Sequence, residues 1–267
     1  MTRIPKTHPR FASLKVRSTL ASAARSGLVV PEGLIAHGRG EAFDYFLGER
    51  TIPSAARAER AAARWLARAH HPVVSVNGNT AALAASEIAG LVDRLPGLRV
   101  EVNLFHRSSG RAAAVARRLR RAGVPKVLGV RPTRRIAGLP SDRGRVAARG
   151  IYLADVCLVP LEDGDRTAAL RALGKRVIAI DLNPFSRTAL AADIPIIDEL
   201  RRALSGIARA LARIPDRGTP GVLPWFDAEA TLRAARLAMA RRLSREGPER
   251  SSRRPSRGIA RRSRRRL

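Results

Sequence analysis

The chain has 267 residues, 45% apolar and 4% aromatic, and its 51 Lys and Arg outnumber 22 Asp and Glu to give a net charge of +29. That length suffices to bury a sizeable core in one domain, and the apolar share is ordinary for a globular protein with an Ala/Leu/Val interior. No run of about 18 apolar residues occurs and no apolar segment follows the basic start, which argues against a membrane span and predicts a soluble, cytoplasmic protein.

The lone Cys157 allows no internal disulfide; inside Val156-Cys157-Leu158-Val159 it reads as a buried small hydrophobe in a reducing compartment. Part of the charge has an address. Residues 241–267 hold twelve arginines against Glu246 and Glu249, a balance of +10. Ser, Pro and Gly fill the gaps, so a basic disordered C-terminal tail is predicted over 244–267, able to bind polyanions non-specifically.

In chain order, residues 9–26 read as a helix with Val16, Leu20, Ala23 and Ala24 on one side and Lys15, Ser18, Ser22 and Arg25 on the other. On that pattern alone Arg17 is a solvated cation. The stretch 33–51 then sets His37, Gly38, Arg39 and Gly40 against Glu41, Phe43, Asp44, Tyr45 and Phe46. Glycines flanking Arg39 let a backbone come close to a ligand. The reading here is a loop opening into a short helix near Glu41, whose N-terminal N–H groups face Arg39 and His37 and suit a phosphate. The stretch matches neither G-x-x-x-x-G-K-[ST] nor a strand-borne G-x-G-x-x-G, and a turn with a surface arginine explains it about as well. Residues 53–71 form an Ala/Arg-rich helix with proline near its start, Trp65 and Leu66 in the core, and His70 and His71 at its negative end. No spacing resembles a structural zinc site.

From Pro72 onward the pattern repeats strand, polar turn, helix. Strands are predicted at 73–77, 98–105, 127–130, 156–159, 177–180 and 194–197. The fold class is therefore α/β, Rossmann-like, a mostly parallel sheet flanked by helices and preceded by an N-terminal helical segment (1–71). The predicted organisation is an α/β domain over 1–214, a linker and C-terminal helix over 215–243 with Asp227 as cap and Trp225 and Phe226 as staples, then the tail. Asn77, Asn79, His106, Asp163, Asp165, Asp181, Asn183 and Arg187 all fall just beyond strand carboxyl ends, where open α/β sheets bind ligands. Each alone is explained by turn and cap preferences; together they mark a crevice.

IPK at 4–6, HPR at 8–10, the 33–51 stretch, PVVSVNGN at 72–79, PLEDGDRT at 160–167 and DLNPFSRT at 181–188 occur in one order. That order closely resembles the archaeal phosphopantothenate synthetase family, the 4-phosphopantoate–β-alanine ligases, from about residue 3 to about residue 200. The resemblance implies a homodimeric, AMP-forming ligase of coenzyme A biosynthesis. In it (R)-4-phosphopantoate attacks the α-phosphorus of ATP, diphosphate leaves, and β-alanine displaces AMP from the acyl-adenylate to give 4'-phosphopantothenate. Carried over residue by residue, the family's nucleotide contacts fall on Arg17, Arg39, Asp181, Leu182, Asn183, Arg187, Thr188, Glu199 and Leu200. Thr188 stands where many relatives have serine, and Glu199 where they often carry an amide. The candidate catalytic residues are Arg39, His37, Asn77, Asp163 and Asp165. Mg2+ is expected, with Asp163, Asp165 and Asp181 as its candidate ligands. Two alternatives remain open: a nucleic-acid-binding protein on an α/β scaffold, which accounts for the charge but leaves NGN, EDGD and DLNP without work, and another ATP-dependent carboxylate–amine ligase. A Rossmann oxidoreductase lacks its glycine-rich turn and acidic ribose partner.

Overall fold

The computed structural model describes residues 5–8, 10–161, 164–214 and 219–245. Three helices come first: α1 (Phe11–Arg25), α2 (Pro31–Leu47) and α3 (Pro53–Arg68). Then β1 (Pro72–Val76), α4 (Gly78–Arg94), β2 (Arg99–Val102), α5 (Ser109–Arg121) and β3 (Val127–Leu128) follow in strict alternation. A small antiparallel ladder, β4 (Arg134–Arg135) and β5 (Arg145–Val146), interrupts the pattern. It resumes with β6 (Val156–Pro160), α6 (Gly164–Ala172), β7 (Arg176–Ile180), α7 (Arg187–Ala191), β8 (Ile194–Ile196) and α8 (Leu200–Leu211), and α9 (Ala228–Arg245) closes the described chain.

The main sheet has six strands, all parallel, in the order β3-β2-β1-β6-β7-β8. Chain direction through the sheet reverses between β1 and β6, which makes their carboxyl ends the switch point of a doubly wound fold. β1 and β6 are buried along their whole length, as parallel strands covered by helices on both faces must be. Their side chains divide with period two: Val74, Val76, Val156 and Leu158 join the core under α1, α3, α4, α5 and α8, while Val73, Cys157 and Val159 join the opposite one with Ile151 and Leu170. Burial pushes the Cys157 thiol up to about 12, so it stays an inert hydrophobe. A third cluster packs Leu232, Ala235 and Met239 of α9 against Leu47, Ile52, Leu182 and Ile197.

Several sequence expectations change here. The 33–51 stretch is not a loop opening at Glu41, because α2 is helical from Pro31 through Leu47. Pro31 supplies a helix-ready φ at the first position, and Gly48, at φ 80°, provides the left-handed cap. Gly38 and Gly40 inside α2 cost about 1 kcal/mol each relative to alanine, which weakens a 17-residue helix without breaking it. Asn77 to Thr80 is likewise the cap and first turn of α4. α3 stops at Arg68, and the His70 and His71 N–H groups donate to the Asp155 carboxylate. Asp227 does cap α9, accepting from Ala230 N at 2.8 Å. Phe226 packs on the core, but Trp225 is 84% exposed and staples nothing; Trp65 makes that link by donating to Pro224 O. Of the tail predicted over 244–267, Ser244 and Arg245 belong to the last turn of α9 instead, and residues 246–267 lie outside the described ones. Among the described residues no helix is long and apolar enough to cross a membrane.

Candidate active site

A cavity of about 770 Å³ opens at the carboxyl ends of β1, β6 and β7, roofed by α2. A second, of about 700 Å³, lies between α1, α2 and α8, and His37 and Leu182 line both. The larger one sits where the strand order reverses, the position at which open α/β sheets bind their ligands.

Asn77 fixes the floor. It caps α4 by accepting from Thr80 N at 2.9 Å, and its Nδ2 donates to Leu161 O at 2.8 Å, tying the end of β1 to the end of β6 across the switch point. Gly78 follows in the cavity wall, where a side chain would strike the Leu28 carbonyl. Asn79 donates to Gly33 O at 2.7 Å and so docks α2 on α4.

The wall after β7 is an Asx turn. Asp181 accepts from Asn183 N at 2.9 Å and from Ser186 Oγ at 2.6 Å, Asn183 Oδ1 accepts from Phe185 N, and Ser186 caps α7. Burial raises the Asp181 pKa, against those two donors and Arg39, whose charge lowers it from across the cavity. On α2, burial foremost lowers the His37 pKa, so its imidazole is neutral at pH 7. Its Nε2 is buried with no hydrogen-bond partner.

The far wall holds residues with no distinctive sequence signal. Arg111 of α5 donates to Leu28 O and His106 O, and Arg143 Nη1 donates to Asn103 O at 3.0 Å. Burial, then Arg143, lowers the Arg111 pKa, as expected of two cations sharing one wall. At the rim His106 Nε2 stands 4.0 Å from Glu32.

The cavity thus gathers His37, Arg39, Asn77, Asp181, Leu182, Asn183, Arg187 and Thr188 of the predicted set. Glu199 lines the second cavity instead, capping α8 by accepting from Arg201 N and Arg202 N at 3.0 Å each. An amide oxygen would cap equally well, so this role does not require a carboxylate. Leu200 is 2% exposed and packed in the core, leaving only its backbone to reach a ligand. Arg17 lines neither cavity; it pairs with Glu41 at 3.0 Å and donates to Tyr45 Oη, which in turn donates to Glu41. Asp165 stays outside the cavity wall, its side chain 79% exposed and 3.4 Å from Arg187. Asp163 lies outside the described residues. Glu32, Arg111, Arg143 and Ser186 are the polar wall residues that sequence reasoning did not single out; of these only Ser186 lay in a motif quoted for the resemblance outside the 33–51 stretch.

Fold and cavity define a doubly wound α/β protein with an open cavity at the sheet's switch point. Comparison with known proteins sharpens that class: the sequence model of the phosphopantothenate/pantothenate synthetase family matches residues 54–242, and the chain belongs to that family. It is 56% identical over 206 residues to a 4-phosphopantoate–β-alanine ligase of Methanospirillum hungatei, covering 77% of this chain and 84% of that protein. Proteins of the same name from Thermococcus onnurineus and Methanosarcina mazei are 52% and 50% identical, over 76% and 78% of this chain and 78% and 82% of theirs.

Proposed function

We propose that this chain joins 4-phosphopantoate to β-alanine at the expense of ATP, by way of an acyl-adenylate. The observation that carries the reading is identity of 50–56% over about three quarters of the chain to ligases of that name, and residues of the 33–51, 72–79 and 181–188 stretches line one cavity. Arg39 and Arg187 line the cavity from α2 and α7, and in this reading they meet the phosphates of ATP. Adenylyl transfer is served mainly by such positioning and cationic stabilisation. Arg111 and Arg143 on the far wall, beside the first turn of α4, suit the 4-phosphate of the acid substrate. Its carboxylate then points back towards the nucleotide, and β-alanine enters last.

Magnesium fits this scheme at Asp181, the half-buried carboxylate of the cavity wall, where desolvation raises the pKa and a cation would relieve that cost. When bound, the ion would neutralise charge on the phosphates of ATP. Among the described residues no cluster of three His, Cys, Asp or Glu side chains could hold a metal alone, so phosphates and water would complete the shell. The assembly in this reading is a homodimer, tested by light scattering at assay concentration. The central experiment is a product assay with phosphopantoate, β-alanine and ATP: AMP and diphosphate are expected, and formation of ADP and phosphate would overturn the adenylate route.

A further inference from the structure

α2 carries His37, Arg39 and Gly40 into the cavity wall, yet of its 17 residues it buries only Asp44 and Leu47. A helix with so narrow an apolar face is not held in place by hydrophobic packing alone. Beside the Asn79 and Arg17 contacts, one guanidinium ties α2 to α8. Arg202, in the first turn of α8, forks onto Asp44 with Nη1 3.1 Å from Oδ2 and Nη2 2.5 Å from Oδ1. Its Nε and Nη2 also lie 2.8 and 2.7 Å from Asp198 Oδ1. Asp198 is 1% exposed, accepts from Thr51 Oγ1 at 2.5 Å and from Glu199 N at 2.7 Å, and immediately precedes Glu199 and Leu200.

We propose that Arg202 is a positioning residue for the nucleotide: it fixes α2, with His37 and Arg39, against the β8–α8 turn, with Glu199 and Leu200, so that one ATP molecule meets both. This rests on the nucleotide reading above and on the contacts that the family resemblance implies for Glu199 and Leu200; His37 and Leu182, which line both cavities, join the two places. A fork onto two carboxylates from different elements sets a distance and an angle, and arginine alone has the planar donor set to do it. Buried ion pairs add little net stability over apolar packing, so the network's value lies in the geometry it imposes.

The test uses the full-length chain, with ATP binding followed by titration calorimetry and KM measured for each substrate. Arg202→Met should weaken ATP binding at least tenfold and leave KM for β-alanine within twofold. Arg202→Lys should recover part of the loss, because an ammonium keeps the charge but cannot fork onto Asp44 and Asp198 together. Asp44→Asn, which leaves the Arg202–Asp198 pair intact, should weaken ATP severalfold and decides the matter if Arg202→Met does not fold. Wild-type ATP affinity in a folded variant would overturn the proposal, as would an equal rise in every KM that tracks a fall in melting temperature. Failure of the wild-type chain to bind ATP would instead overturn the nucleotide reading, and this proposal with it.

Discussion

Glu59→Gln should change how stability depends on pH. Glu59 lies on α3, 4% exposed, beside Asp198 and against Gly206 of α8, and its Oε1 has no hydrogen-bond partner. Burial first, and then the charge of Asp198, push its pKa up from 4.5 to about 7. Because the folded value is the higher one, the folded protein keeps a proton that the unfolded chain has released between pH 4.5 and 7. The stability contributed by the protonated carboxyl is complete below about 4.5 and is lost as pH rises through 7. A rise of that size is worth at most about 3 kcal/mol, of which about 2–3 kcal/mol falls between pH 5 and 8. Glutamine keeps an N–H donor for Asp198 and has nothing to ionise. Urea unfolding at pH 5 and pH 8 should therefore show the variant gaining on the wild type by about 2–3 kcal/mol across that interval. Parallel curves for the two proteins would mean that Glu59 ionises well below pH 7, and the argument would fail.

A Cβ built at Gly38 or Gly40 meets nothing within 4 Å, so each Gly→Ala change should stabilise α2 by about 0.5–1 kcal/mol, seen as a rise in melting temperature of about 2–4 °C per kcal/mol. Only Gly40 lines the cavity, so only its variant should lose turnover; destabilisation by Gly38→Ala would mean that the stretch is a loop in solution after all. Arg39→Ala should leave the melt unchanged and lower kcat/KM by about 2–4 kcal/mol of transition-state stabilisation, and an unaltered rate would remove Arg39 from the site. Arg111→Gln should raise KM for phosphopantoate at least tenfold with KM for ATP nearly constant; the opposite split would exchange the two walls.

The strands were legible because Val, Ile and Leu crowd into short runs between turn residues, as at Val73, Val74 and Val76 or Val156 to Val159. Their order was not, since nothing local in 72–76 states that it pairs with both 99–102 and 156–160; the crossovers decide that. α2 was misjudged in its first half because glycine at 33, 38 and 40 lowers helix propensity at three places, and the start signal, Pro31, stood before the stretch that drew attention. The cavity's near wall was readable from βα turns rich in Asn and Asp. Its far wall was not: Arg111 is one of five arginines on α5, and Arg143 lies in the irregular segment around β4 and β5, so only the fold brings them to the cavity.

The 33–51 stretch was expected to offer a phosphate the N–H groups of a helix beginning near Glu41, beside His37 and Arg39. Those residues do line the cavity, but from the middle of α2, where every backbone N–H has an intrahelical partner to satisfy. The helix N-terminus in the cavity wall is that of α4 at Gly78, straight after β1, with Asn77 closing its first turn. The two attributes first assigned to one loop therefore come from different elements: backbone donors from α4, fixed rigidly by the sheet, and a side-chain cation, Arg39, from α2, which is glycine-weakened and held by Asn79, Arg17 and Arg202. A site divided in this way depends on the contacts that join α2 to the body. Those contacts are polar at Asn79–Gly33 and Arg202–Asp44 and apolar where Leu47 packs with Leu232 and Met239 of α9, so α2 is tied at both its ends and along one side.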